Sequence, residues 1–329
     1  MSYLRVILTN KMKSNLTIGL AQLSPVWLNK RATADKMYSF IEDAARQGCD
    51  LIVFGEALLP GYPFWLELTN GALFESTLQK EFFALYAREA ISVELGDLDE
   101  FCRLAKEKHI MIILGFIERA QDRGGHSLYC ALTCITSNGQ ISYIHRKVMP
   151  TYEERLVWGT GDGYGLRVSE LEAFKVGALN CWENWMPTIR SALYAQGEDL
   201  HVALWPGSAR NTEDITRFIA RESRSFVVSV SGLLARDEIP SNLPGYSMIK
   251  EKCGDWLADG GSCIAGPDGS WIVEPFVKKE VLLIGRIDYN MVLRERQNFD
   301  PAGHYSRPDI VQLRVNRERQ TTARFIDGE

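Results

Sequence analysis

Two kinds of strand connection coexist in this chain, and together they restrict its fold more than any other feature. An alternating run, Thr17 to Gln22, is followed by apolar residues at helical spacing, Ala32 to Gln47, a stop at Gly48, and a short buried strand, Leu51 to Phe54. A strand, a crossing helix and a second strand make a parallel pair. Further on, Ser127 to Thr136 and Ile141 to His145 flank Asn138-Gly139, and Gly261 to Ala265 and Ile272 to Phe276 flank Pro267-Asp268-Gly269. These turn residues make hairpins, and hence antiparallel pairs. An α/β architecture satisfies both signals: a four-layer αββα sandwich, with two mixed β-sheets face to face and helices on the outer faces.

The remaining patterns fill that frame. Asp99 to Lys108 and Glu213 to Ser223 read as helices, and Ile110 to Ile117, Leu200 to Trp205, Phe226 to Val230 and Val281 to Ile287 as strands. No linker or repeat interrupts them, so residues 14–310 are expected to form a single domain, with residues 1–13 as an N-terminal extension. The polar stretch from about Arg294 has no core pattern; its last part, residues 311–329, is expected to be a tail lying against the body or a neighbour.

Composition excludes several classes. A net charge of -5 without a Lys/Arg cluster argues against nucleic acid. No apolar run approaches the ~18 to 20 residues of a membrane helix, and Met1 to Lys13 lacks the apolar region of a signal peptide. Seven cysteines, an odd number, without a leader read as reduced thiols in a cytoplasm. Cys130 and Cys134 share one face of a strand and read as core; no His or second Cys pair accompanies them, so no metal is implied. Gly159 to Gly165 lacks the Lys and Ser/Thr of a phosphate loop, and Asp162 would repel a phosphate.

Three polar residues stand just after apolar strands: Glu56, Lys147 and Cys181. Phe174 to Asn180 reads as a strand and Pro187 as a helix start, which puts Cys181 at a strand-to-helix turn. Backbone N–H groups and a helix dipole there would favour a thiolate and any anion made by its attack. On this stretch alone, a nucleophile and an ordinary small residue closing a buried strand stand level. Neighbouring strands would bring the three together, the carboxylate as base and the lysine as positive field. Pro60 to Trp65 is an aromatic loop after the Glu56 strand, and Tyr62, Trp65, Trp182 and Trp205 could wall a pocket or equally be core.

Phe54-Gly55-Glu56, His145-Arg146-Lys147 and Asn180-Cys181-Trp182-Glu183-Asn184 resemble, in order, the three catalytic blocks of the carbon–nitrogen hydrolases, the nitrilase superfamily. The similarity spans Thr17 to Asp309. Cys181-Trp182-Glu183-Asn184 followed by Met186-Pro187 resembles the true nitrilase branch, whereas aliphatic amidases and ureido hydrolases usually carry another residue after the Cys and Asp two places on. Thr151 to Arg155, Trp158-Gly159, Gly161 to Gly163, Gly303 to Tyr305 and Arg307 to Asp309 extend the likeness; Gly55 departs from it, where many members have Pro. The resemblance implies Cys181 as nucleophile, Glu56 as general base, Lys147 as electrostatic stabiliser and proton relay, and Glu154, which directly precedes Arg155, as a second carboxylate. It implies a small-molecule nitrile as substrate, no metal or organic cofactor, and homo-oligomers built from dimers into larger spirals. An amidase or a nitrile- or cyanide-hydrating enzyme would use the same residues; a non-catalytic scaffold would not need them.

Overall fold

A computed structural model describes residues 12–323 and 326 of the chain. The expected extension therefore falls almost wholly outside the described residues. One sheet has the order β13-β1-β2-β3-β4-β5. Its members are β1 (Asn15–Gln22), β2 (Leu51–Phe54), β3 (Met111–Arg119), β4 (Leu128–Ile135), β5 (Ile141–Arg146) and β13 (Val281–Asp288). The other runs β10-β11-β9-β8-β7-β6, with β12 attached to β11. It comprises β6 (Val168–Leu171), β7 (Phe174–Asn180), β8 (Leu200–Trp205), β9 (Phe226–Ser231), β10 (Leu233–Ala235), β11 (Trp256–Ala265) and β12 (Trp271–Val277). Parallel pairing joins β1 to β2 and β2 to β3, as well as β7 to β8 and β8 to β9; the two expected hairpins, β4–β5 and β11–β12, are antiparallel.

Side-chain alternation sorts the layers. In β2, Leu51 and Val53 join the core between the sheets with Val202 and Leu204 of β8, whereas Ile52 and Phe54 face outward. Helix α1 (Lys30–Arg46) covers that outer face with Met37 and Ile41, and α4 (Asp99–Lys108) with Phe101 and Leu104. On the far side, α5 (Pro187–Tyr194) and α6 (Ala209–Ser223) cover the second sheet, with Leu193, Ile215 and Ile219 buried. Both faces of β2 are thus covered, which is why it reads as an unbroken apolar run. This is the four-layer sandwich expected.

Pattern reading passed over α2 (Trp65–Leu68), α3 (Thr77–Glu89), α7 (Tyr246–Lys252) and α8 (Tyr289–Arg296), together with the short β6 and β10. Helix α3 has only Phe82 and Tyr86 fully buried, too few to impose a clear stripe. Within the terminal stretch, Arg319 and the Gln320 N–H both donate to Asp162, and the Arg319 guanidinium covers the Tyr164 ring. No helix among the described residues is long and apolar enough to cross a membrane.

Candidate active site

The ends of three strands converge. Glu56 follows β2, and its N–H donates across to Trp205 O at the end of β8, 3.2 Å away, stitching the sheets together there. Gly115 of β3 makes this possible, because a Cβ at that position would collide with the Gly55–Glu56 backbone. Lys147 follows β5 and donates its N–H to Cys130 O of β4 at 2.7 Å. The glycine-rich loop lies against this end: Gly161 leaves no room for a side chain over the Arg146 and Lys147 carbonyls. Cys181 follows β7 with φ of 45°, in the left-handed region that non-glycine residues rarely occupy.

One expectation about this turn needs correcting. Helix α5 does start at Pro187, but a separate 3-10 turn, Cys181–Trp185, comes first. Dipole influence falls off within a turn, so the N–H groups beside the thiol are those of the 3-10 turn.

Lys147 occupies the centre of the cluster. Its Nζ donates to Glu56 Oε1 at 2.7 Å and to Glu154 Oε2 at 2.8 Å, with all three side chains buried. Ligand-type atoms of Glu56, Glu154 and Cys181 lie within 4.8 Å of one another. Those three have metal-ligand spacing, yet the ammonium already bridges the two carboxylates, and a cation would have to displace it. Glu154 is held further by Tyr62 OH at 2.8 Å and the Thr151 N–H at 2.6 Å, whereas Glu153 is only half-buried. Glu56 Oε1 also accepts from the Cys130 thiol at 3.3 Å; Glu56 Oε2 has no partner among the described residues.

Glu183 ties two of the strand ends together. Its carboxylate accepts from the Val148 N–H at 2.6 Å, just past Lys147, and from the Asn180 N–H at 3.0 Å, just before Cys181. His145 Nε2 donates to the same group at 3.0 Å. Burial alone would raise the Glu183 pKa, but His145 and the two N–H groups outweigh it and hold the carboxyl below its usual range.

Burial dominates the titration of the central groups. It pushes Glu56 up to about 7; Lys147 pulls it down and Glu154 pushes it further up. Burial also drives the Cys181 thiol well above its ordinary value, Glu56 adding to this, while Lys147 and the Trp182 N–H oppose it. For Lys147 burial acts downward, but Cys181, Glu56 and Glu154 together raise it well above the usual ammonium value. The neighbouring anionic groups favour the Lys147 ammonium, and a proton passed from the thiol to Glu56 would stay inside the cluster. Moving it leaves the net charge of the buried cluster unchanged, which low dielectric favours.

The aromatic residues separate into different roles. Tyr62 holds Glu154 and packs edge-on to Trp158, whose ring lies 5.5 Å from Lys147 Nζ. Trp182 is 55% exposed beside Cys181. Trp205 is fully buried in one apolar cluster with Cys181, and its Nε1–H reaches Ser229 Oγ at 3.4 Å. Trp65 is core and not wall: it stacks on Phe82 at 5.0 Å and meets Tyr86 at 4.8 Å. The Pro and Gly spacing of its loop gave no sign of which rings would turn inward.

Sequence reading missed Cys130 at Glu56, taking Cys130 and Cys134 together as core. Both are buried core, Cys134 between the sheets and Cys130 in a second apolar cluster, but the Cys130 thiol also reaches Glu56. A Cys four residues from another on a strand carries no signal for that. The Glu183 clamp was equally hidden, since two of its three partners, Val148 and His145, are 35 and 38 positions away.

Comparison with known proteins agrees with this geometry. The carbon-nitrogen hydrolase family profile matches residues 17–297. The chain is 33% identical over 316 residues to Nitrilase 2 of an unknown prokaryotic organism, covering 95% of this chain and 96% of that one. It is 34% identical over 316 residues to Nitrilase 2 of Arabidopsis thaliana, covering 93% and 90%. Among solved structures, a carbon-nitrogen hydrolase from Helicobacter pylori G27 superposes with a TM-score of 0.64 over 90% of this chain and 96% of that one, at 18% identity, which speaks for the fold. The protein belongs to the carbon–nitrogen hydrolase family and is a hydrolase of carbon–nitrogen bonds. Within that family both of the relatives named above are nitrilases.

Proposed function

We propose that this protein converts an organic nitrile and two waters to a carboxylic acid and ammonia, with Cys181 as the nucleophile. The observation that carries this reading is the buried Cys181–Glu56–Lys147–Glu154 cluster, in a chain whose relatives over nearly its full length are nitrilases. Glu56 takes the thiol proton on its unpartnered Oε2 as Cys181 Sγ bonds to the nitrile carbon. The nitrile nitrogen becomes the nitrogen of a thioimidate and takes up a proton relayed from Glu56, with the Trp182 N–H and the Lys147 ammonium facing the developing charge. Water then adds. Loss of ammonia leaves a thioester that a second water hydrolyses to acid; loss of the thiolate instead would release an amide. Glu154 and Tyr62 hold Lys147 in place throughout.

The same reading includes one catalytic unit over residues 14–310, a cytoplasmic setting suited to seven reduced thiols, and association of copies. Exposed apolar side chains such as Phe218, 52% exposed, offer surface for such contacts.

The test is a panel of nitriles, including phenylacetonitrile, run beside the corresponding amides, with ammonia, acid and amide quantified. Ammonia from nitriles is the expected result; ammonia from amides and from no nitrile would make the protein an amidase.

A pH limb follows from Glu56. The group acts as a base only when ionised, and burial raises it to about 7 from the usual carboxylate range. kcat/KM should therefore fall as pH drops through that value, approaching about tenfold per pH unit below it. A flat profile between about pH 5 and about pH 8 would show that Glu56 is not the base.

A further inference from the structure

Beneath the nucleophile turn lies a chain of buried polar groups that the proposed reaction does not use. Asn184 Nδ2 donates to Cys181 O at 2.8 Å and also approaches Leu179 O at 3.4 Å. Both oxygens only accept, so the amide cannot be flipped, and Asn184 Oδ1 must face the other way. There it meets His201 Nε2 at 2.7 Å, which consequently carries a hydrogen. The opposite ring nitrogen, Nδ1, lies 2.9 Å from Glu198 Oε1. Asn184, His201 and Glu198 are all buried, with no solvent to substitute for a lost partner. Arg190 fixes the same turn from another side, donating to Asn184 O at 2.6 Å while paired with Glu222.

The atom at the end of this chain matters. A peptide group is planar and trans, so its C=O and N–H point in opposite directions. Fixing Cys181 O on Asn184 therefore fixes the direction of the Trp182 N–H, which bears on the Cys181 sulfur. It also restrains a residue whose φ of 45° would otherwise relax.

We infer that Glu198, His201 and Asn184 are positioning residues that lock the Cys181–Trp182 peptide so that its N–H faces the thiolate and the charge formed on its substrate. The inference rests on Cys181 being the nucleophile. None of the three touches substrate; they act through that peptide. Glu198 anchors the imidazole at Nδ1, His201 Nε2 donates to the Asn184 amide oxygen, and Asn184 holds the carbonyl.

Three variants test this. His201→Phe removes the donor, and Asn184→Leu removes the hold on the carbonyl. Glu198→Gln keeps the chain intact, because its amide donates to Nδ1 and leaves the hydrogen on Nε2. Four quantities are read: kcat and KM for ammonia release from a nitrile, the rate at which iodoacetamide alkylates Cys181 followed by mass spectrometry, and the thermal midpoint. His201→Phe and Asn184→Leu should lower kcat by roughly 100-fold with KM little changed, and should slow alkylation; Glu198→Gln should stay within about threefold of the parent. Should His201→Phe not fold, Asn184→Leu and Glu198→Gln decide the matter by the same readings. Unchanged kcat and alkylation in a folded His201→Phe or Asn184→Leu protein would overturn the inference, as would a loss in Glu198→Gln equal to that in the other two. The alkylation arm needs no turnover, so a parent protein inactive on every nitrile would refute the proposed function and still leave the relay decided.

Discussion

Replacing Cys181 by alanine should abolish ammonia release from nitriles, lowering kcat by about 10⁴-fold or more, while leaving the protein folded. The thiol supplies the atom that bonds to carbon, and the other cysteine near Glu56, Cys130, is buried and engaged with Oε1. Stability should change little, since the substitution removes no charge and alanine is as strained as cysteine at φ of 45°. Cys181→Gly makes a sharper comparison. Glycine occupies the left-handed region without the Cβ penalty, so Cys181→Gly should unfold at a higher denaturant concentration than Cys181→Ala, by about 1 kcal/mol. Both should be inactive. Turnover within tenfold of the parent in either variant would remove Cys181 from the mechanism; equal stability would show that the turn stores no strain.

Lys147→Met should have the largest combined effect on activity and folding. Its ammonium is the only group donating to both Glu56 and Glu154 among the described residues, and removing it leaves two carboxylates facing each other out of water. Deleting one member of a buried ion pair costs about 3–5 kcal/mol, and methionine fills the space without restoring charge. The sign of the pH dependence follows. Glu56 is already held above the carboxylate range; without Lys147 it binds its proton more tightly still. A folded-state pKa raised above the unfolded value contributes stability that is present below the unfolded value and lost as pH rises through the folded one. The deficit of Lys147→Met relative to the parent should accordingly be larger at about pH 8 than at about pH 5, as read by thermal or urea unfolding at both. A deficit of the same size at both would assign the loss to packing. Nitrile turnover should fall by about 10³-fold or more, because the developing charge on nitrogen loses its cation.

The sheets, half of the α-helices and the three strand-end residues were legible in the sequence because each is encoded locally. Alternation marks β1, an unbroken apolar run marks β2, and Asn138-Gly139 and Pro267-Asp268-Gly269 mark the hairpins within a few residues of themselves. Glu56, Lys147 and Cys181 stand out because polar groups end apolar runs. What a side chain touches is set by other segments. Trp65 and Tyr62 lie three positions apart in one loop, yet one is stacked in the core and the other holds Glu154, a difference fixed by α3 on one side and the Lys147 segment on the other. Cys130 and Cys134 share a strand but not an environment, because only Cys130 reaches the end where β2 and β5 deliver Glu56 and Lys147.

By itself, then, the sequence determined the kind of layers, the direction of the main strand pairings and which residues could carry chemistry. Tertiary structure alone decided that Glu56, Lys147, Glu154 and Cys181 meet, that Glu183 bolts two of their segments together, and that Asn184, His201 and Glu198 underlie the nucleophile. The reason is physical: periodicity and turn propensity act over a few residues, whereas pairing buried charges and amides depends on which atoms distant segments place within hydrogen-bond reach once water is excluded.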